Sequence, residues 1–163
     1  MSTKEKVAVV TGAARGIGLA IARKFLNSGD AVALLDIDAT TLATTTASLA
    51  APDEVLSIVC DVSQPAEVQA AIAQVDRRFG RLDALVNNAG IAVFKPILET
   101  TVEDWTRVLA TNLTGPFLCT QACAPLMLRS GGGSVVNIAS ISGVRASTLR
   151  VAYGTSKAAL AQW

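Results

Sequence analysis

Tyr153 and Lys157 stand four residues apart in the stretch Tyr-Gly-Thr-Ser-Lys. On a helix that spacing puts both side chains on one face, a turn apart. An ammonium beside a phenol favours the phenolate, so such a tyrosine can exchange a proton nearer neutral pH than a free one. The pair alone occurs on many helices without chemical meaning. Three other features give it context: Ser140 closes an apolar run thirteen residues upstream, a Gly-rich turn occupies 12–18, and Asn87-Asn88-Ala89-Gly90 follows a mid-chain apolar run.

Each feature implies its own chemistry. The turn, Gly12-Ala13-Ala14-Arg15-Gly16-Ile17-Gly18, lies between a β-branched run and a helically periodic stretch at 19–27. Such a turn gathers bare N–H groups and the positive end of a helix at one point, an anion site suited to a pyrophosphate. Its glycines are spaced more widely than in the common GxGxxG. Asp36 follows a second apolar run at 31–35. An acid there in a βαβ nucleotide fold accepts hydrogen bonds from both adenosine ribose hydroxyls and repels a 2′-phosphate; the alternative is a solvated loop acid. Asp61, followed by Val62, ends a third run and suits either contact with an adenine amino group or a plain turn. The paired asparagines can bond neighbouring backbone, and Ala89-Gly90 leaves room for a flat ligand close to the main chain. Pro116, inside a helix expected over 101–129, has no N–H and so frees the carbonyl of Asn112 to hold a water. A helix bend without a further role is the other reading.

The elements that must position these groups follow from periodicity. Strands are expected at 7–11, 31–35, 55–60, 82–86 and 134–138, and helices at 19–27, 39–49, 63–79, 101–129 and from 151 through Trp163. Asp38 reads as an N-cap, Gly80 as a C-cap, and Thr101 with Asp104 as a capping box. Alternating strands and helices imply an α/β fold: a doubly wound parallel sheet with helices on both faces. It forms a single domain over 1–163, with ligands held beyond the carboxyl ends of the strands.

Composition narrows the function classes. Of the 163 residues, 51% are apolar and 17% charged, with a net charge of +1 spread without clusters. That balance suits a well-buried globular chain and argues against nucleic-acid or anionic-membrane partners. There is no histidine, which excludes imidazole metal sites and His-based triads. Cys60, Cys119 and Cys123 lack CxxC spacing and read as buried free thiols. The start carries no signal-peptide pattern, and no apolar run is long enough to span a bilayer, so a cytoplasmic location is expected.

Taken in order, these motifs resemble the short-chain dehydrogenase/reductase family over nearly the whole chain. Thr11 to Gly18 matches its TGxxxGIG turn, Asp61 its adenine-pocket acid, Asn87 to Gly90 its NNAG segment and Asn112 its helix asparagine. Ser140, Tyr153 and Lys157 match the catalytic serine and YxxxK. The resemblance implies a Rossmann-like fold and catalysis by Asn112, Ser140, Tyr153 and Lys157, without a metal. Tyr153 would act as general acid/base between a secondary alcohol and its ketone, Lys157 would also hold the nicotinamide ribose, and Ser140 would steady the substrate oxygen.

The dinucleotide would lie on Gly12, Arg15, Gly16, Ile17, Gly18, Asp36, Asp61, Val62, Asn88, Ala89 and Gly90, besides Tyr153 and Lys157. Asp36 matches members preferring NAD(H); Arg15 occupies a position kept basic in some NADP-using members, so NAD is expected over NADP. Ser140, Ser142, Phe94, Leu149 and Arg150, with Val93 and Arg145, fall near the implied substrate pocket and lean towards a polar sugar or polyol. Family members pack their last two helices here against copies in dimers and tetramers, so a homo-oligomer is implied. They also continue well past YxxxK, so the sheet is expected to be incomplete on its C-terminal side and the chain to represent only part of an enzyme. The rival readings are a dinucleotide-binding fragment or pseudoenzyme without catalysis, and a structural oligomerisation unit.

Overall fold

A computed structural model describes residues 6–49 and 51–162; the expected continuation of the last helix to Trp163 lies outside the described residues. The chain alternates β1 (Val7–Thr11), α1 (Gly16–Asn27), β2 (Ala31–Asp36), α2 (Ala39–Ser48), β3 (Val55–Val59), α3 (Pro65–Phe79) and β4 (Ala84–Asn87). It continues with α4 (Val102–Leu109), α5 (Gly115–Arg129), β5 (Ser134–Asn137) and α6 (Val151–Leu160). All neighbouring strands pair in parallel, in the order β3-β2-β1-β4-β5.

The central strands β1, β2 and β4 are apolar runs because both sheet faces are covered there, whereas β3 carries an exposed Ser57 and Val59. Successive side chains point to opposite faces, and the core divides accordingly. Val7, Val9, Ala33, Leu35 and Leu85 join Val68, Ile72 and Val75 of α3 and Cys119, Cys123 and Leu126 of α5. Ala8, Val10, Val32, Leu34 and Val86 join Ala22 of α1 and Leu42 of α2. Each fully buried Val or Leu contributes roughly 1.5–3 kcal/mol. Outer strand β5 is less covered, with Val135 and Val136 exposed on its two faces. No helix among the described residues is long and apolar enough to cross a membrane.

The expected caps are present. Asp38 accepts from the Thr41 N–H, Gly80 adopts a left-handed conformation (φ 68°) after α3, and Thr101 and Asp104 form a reciprocal capping box on α4. Helix α3 starts at Pro65 rather than at 63, since a proline in the first turn forfeits an N–H that had no helical partner. The helix expected over 101–129 is interrupted. Residues Ala110–Thr114 form a π-helical turn between α4 and α5, in which the Gly115 N–H reaches back five residues to the Ala110 carbonyl. Pro116 cannot continue the usual hydrogen-bond ladder, and one extra residue in the turn absorbs the break.

The strand order reverses between β1 and β4, because β2 lies on one side of β1 and β4 on the other. The crevice at that switch point, beyond the carboxyl ends of the strands, is where a ligand fits such a sheet.

Candidate active site

The turn after β1 bends through two left-handed glycines, Gly12 (φ 63°) and Gly16 (φ 59°). Gly18 has no room for a side chain: an added Cβ would lie 2.3 Å from the Gly12 carbonyl oxygen and 2.6 Å from Asn88 Nδ2. At Gly16 no atom of the described residues lies within 4 Å of an added Cβ, so the turn is open there. Arg15, the N-cap of α1, makes no side-chain cap bond, and the first helical turn carries no acid. The N–H groups of that turn therefore present an uncapped positive end.

A cleft of about 640 Å³ opens over this turn. Gly12, Arg15, Ile17, Asp36, Asp61 and Val62 line it, as do Asn88, Ala89 and Gly90. Gly16 and Gly18 build the turn without appearing in the wall. Asp36 is held by backbone, one carboxylate oxygen accepting from the Ala14 N–H (2.9 Å) and the other from the Asp38 N–H (3.0 Å). Asp61 forms a turn of its own, accepting from the Ser63 N–H (2.9 Å) and hydroxyl (2.8 Å). Val62 packs against Gly115, where an added Cβ would come within 2.8 Å of a valine methyl.

The far wall is tied to the turn by Asn88 and Thr11. Asn88 Nδ2 donates to the carbonyls of Thr11 (2.9 Å) and Gly12 (3.0 Å). The Thr11 hydroxyl accepts from the N–H groups of Asn88 and Ala89, both at 3.0 Å. Asn87 reaches across the sheet instead, donating to Asn137 Oδ1 (2.9 Å), its register partner on β5. Asn112, fully buried in the π turn, clamps the next segment with its side chain: Oδ1 accepts from the Ile91 N–H (2.8 Å), and Nδ2 donates to the Ile91 carbonyl (2.9 Å) and to Ser156 Oγ (3.1 Å).

Lys157 is 4% exposed. Its ammonium donates to the Ile138 carbonyl at 2.6 Å and lies 5.9 Å from the centre of the Tyr153 ring. It is also 3.7 Å from where a side chain on Gly90 would begin, which brings the lysine up to the cleft wall. Burial pushes the Lys157 ammonium below its ordinary pKa. Ser140 precedes a short helical turn, Ile141–Gly143, and its Oγ accepts from the Ser142 N–H at 3.2 Å. That bond uses an oxygen lone pair and leaves the hydroxyl proton available to donate.

The residues expected near a substrate divide. Ser142, Leu149 and Arg150 line a second hollow of about 600 Å³ with Gly154, Thr155 and Ala158. Those α6 positions lie on a different face from Tyr153 and Lys157, because each residue turns the helix by roughly 100°. Neither Tyr153 nor Ser140 lines that hollow. Phe94 joins this group through the Arg150 guanidinium, 4.8 Å above its ring. The Ser142 hydroxyl is buried and finds no hydrogen-bond partner among the described residues. The three cysteines are free and buried, as expected, and burial raises the Cys60 thiol to about 11 and the Cys119 thiol to about 12.

Comparison with known proteins places this arrangement. The short chain dehydrogenase profile matches residues 6–163. The chain belongs to the short-chain dehydrogenase family. It is 47% identical over 162 residues to 2-(R)-hydroxypropyl-CoM dehydrogenase of Xanthobacter autotrophicus, covering 96% of this chain and 65% of that protein. It is 42% identical over 167 residues to D-threitol dehydrogenase of Mycolicibacterium smegmatis, covering 97% of this chain and 64% of that protein. The crystal structure of an NAD+-bound xylitol dehydrogenase superposes with a TM-score of 0.90 at 40% identity, over 95% of this chain and 60% of that one. The chain thus spans under two thirds of the length of each of these relatives.

Several residues around this cleft have roles that their place in the sequence does not disclose. Thr11 reads in sequence as the end of a buried strand, although its hydroxyl organises the cleft wall. Ser156 lies inside the Tyr-Gly-Thr-Ser-Lys stretch and links Asn112 to α6, donating to the Tyr153 carbonyl at 2.7 Å. Ile37 and Arg107 also line the cleft. Ile37 could have been suspected from its place directly after Asp36, whereas Arg107 reaches the cleft only through the packing of α4.

Proposed function

We propose that the protein is an NAD(H)-dependent oxidoreductase acting between a secondary alcohol and its ketone, with Tyr153 as general acid/base. The observation that carries this reading is the buried Lys157 ammonium beside the Tyr153 ring and the Gly90 wall of the cleft. The fit to a dinucleotide is supported by the uncapped start of α1, the open backbone at Gly16 and the backbone-held carboxylate of Asp36. Gly12, Arg15, Gly16, Ile17 and Gly18 would hold the pyrophosphate end, Asp36 the adenosine ribose, and Asp61 and Val62 the adenine. Asn88, Ala89 and Gly90 would border the cofactor towards Tyr153 and Lys157. The nicotinamide, when bound, supplies the hydride acceptor or donor.

The chain's own groups do the rest. Tyr153 takes the proton of a substrate hydroxyl in oxidation and returns it in reduction. Lys157 supplies positive charge next to the phenol and a donor for the nicotinamide ribose. Ser140 donates its hydroxyl proton to the substrate oxygen, where charge develops. Asn112 keeps the π turn, the segment after β4 and α6 in register through Ile91 and Ser156, and its main-chain carbonyl would hold a water leading protons from Lys157 to solvent. The substrate class is a polyol or other polar alcohol, a reading supported by the threitol and xylitol dehydrogenases among the relatives. The same reading includes a cytoplasmic homo-oligomer in which α5, with Phe117 and Leu128 exposed, packs against its copy.

The test is turnover of a panel of polyols and secondary alcohols with NAD+, followed at the nicotinamide absorbance. Tyr153→Phe should abolish turnover while NAD+ still binds. Binding without turnover of any alcohol or ketone would favour a dinucleotide-binding protein without catalysis.

A further inference from the structure

The adenosine end of the cleft contains a charge arrangement that Asp36 alone does not describe. Arg15 lines the cleft close to Asp36, and its side chain is largely exposed. A guanidinium there is a ready partner for a phosphate on the ribose. In this chain it is already engaged: Arg15 Nη1 lies 3.6 Å from Asp38 Oδ2. Asp38 is itself fixed, since it caps α2 through the Thr41 N–H (3.0 Å) and accepts from the Thr41 hydroxyl (2.6 Å). Its own N–H bonds to Asp36, which ties the two carboxylates into one turn. The Thr41 hydroxyl, then the Thr41 N–H, hold the Asp38 carboxyl below its usual range. The other arginine in the cleft wall, Arg107, is likewise paired, 3.5 Å from Asp104.

We propose that Asp38 is a second specificity-determining residue, which pairs with the Arg15 guanidinium and so weakens its service to a 2′-phosphate. The proposal rests on the dinucleotide reading of the cleft. Asp36 meets the ribose hydroxyls and opposes a phosphate directly. Asp38 acts one step further out, occupying the cation that would otherwise compensate for that repulsion. Discrimination between NAD and NADP is then shared by Asp36, Asp38 and Arg15. Removing Asp36 alone leaves the arginine occupied and relieves only part of the repulsion.

Direct titration of the purified protein with NAD+ and NADP+, read by calorimetry, tests this without reference to catalysis. Asp38→Asn keeps a good N-cap for α2, so the helix start is retained. The ratio Kd(NADP+)/Kd(NAD+) should fall roughly fivefold in Asp38→Asn at low salt, the scale of one exposed charge pair, and the change should shrink as salt rises. Adding Arg15→Ala to Asp38→Asn should return most of that fall. A ratio in Asp38→Asn within twofold of the unsubstituted protein would overturn the role of Asp38. So would a fivefold fall that persists without Arg15. A protein that binds neither dinucleotide would overturn the cofactor reading itself, and the role of Asp38 with it.

Discussion

Thr11→Val should destabilise the protein more than its conservative appearance suggests. Thr11 is 2% exposed at the end of β1. Its hydroxyl accepts from two N–H groups at 3.0 Å and donates to the Val86 carbonyl at 3.4 Å, joining β1 to β4 and to the segment after it. Valine matches threonine in shape, so no cavity forms, but both N–H donors lose their acceptor. An unsatisfied buried donor costs about 1–3 kcal/mol. Asn88 and Ala89 are only half-buried, so water recovers part of that and the low end applies. The sum is about 2 kcal/mol, a fall in Tm of about 4–8 °C for a domain of this size.

Thr11→Ser is the control. It keeps the hydroxyl and loses one buried methyl, which costs about 0.8 kcal/mol. Urea unfolding followed by circular dichroism, with the midpoint and slope fitted separately, measures both variants. Thr11→Val within 0.5 kcal/mol of the unsubstituted protein, or Thr11→Ser losing as much as Thr11→Val, would refute the assignment of the cost to the hydroxyl, since the assignment predicts a difference of about 1 kcal/mol. The loosened segment includes Ala89 in the cleft wall, so dinucleotide affinity should fall in Thr11→Val as well.

Two further substitutions probe the turn and the lysine. Gly18→Ala gains about 1 kcal/mol in helix propensity but drives a methyl into the Gly12 carbonyl at 2.3 Å, so dinucleotide binding and stability should both drop. Gly16→Ala meets no atom within 4 Å and should lose only the strain of its positive φ, about 1–2 kcal/mol; thermal melts that rank the two in the opposite order would contradict the packing. Lys157→Met removes a buried ammonium whose folded pKa is depressed by desolvation. Between that depressed value and the unfolded value of about 10.4, the unfolded chain binds more protons, so the native protein gains stability as pH rises through the window. Methionine abolishes this gain, so the unfolding free energy of Lys157→Met relative to the native protein should be highest near neutrality and shrink towards pH 10. A difference that does not vary with pH would show that burial is not what depresses Lys157.

The parts of the fold that were legible in the sequence are those whose signal is local. Asp38, Gly80 and Thr101 with Asp104 could be read as caps because a cap is decided within four residues. Strands β1, β2 and β4 could be read because a sheet covered on both faces leaves apolar runs, and the partly exposed outer strands β3 and β5 from their β-branched residues. Strand ends shifted by one or two residues where pairing depends on a neighbour; β4 begins at Ala84 rather than at 82 because its register is set by Ala8 on β1 and Ser134 on β5. At the cleft, Gly12, Asp36, Asn88 and their neighbours were legible from element order alone, since the carboxyl ends of parallel strands must meet at one edge of the sheet. The hollow that gathers Ser142, Leu149 and Arg150 away from Tyr153 was not, because the face a loop presents depends on how its ends pack.

Asn112 shows where reading by spacing stops. Pro116 identifies it, because a proline frees the carbonyl four residues back in a regular α-helix. The helix is not regular there. Gly115 lets α5 approach until Val62 occupies the space of a missing Cβ, and the chain takes up the extra residue as a π turn. A π turn rotates the residues it contains relative to both flanking helices, and Asn112 then faces Ile91 and Ser156 at once. The amide side chain reproduces the donor and acceptor of a backbone, so it closes on the Ile91 N–H and carbonyl as a second strand would. The same residue thereby joins the loop that follows Gly90 to the helix that carries Tyr153 and Lys157. That coupling depends on Val62, Ile91 and Ser156, all distant from Asn112 in sequence, and none of them has a spacing to Asn112 that a short motif could encode.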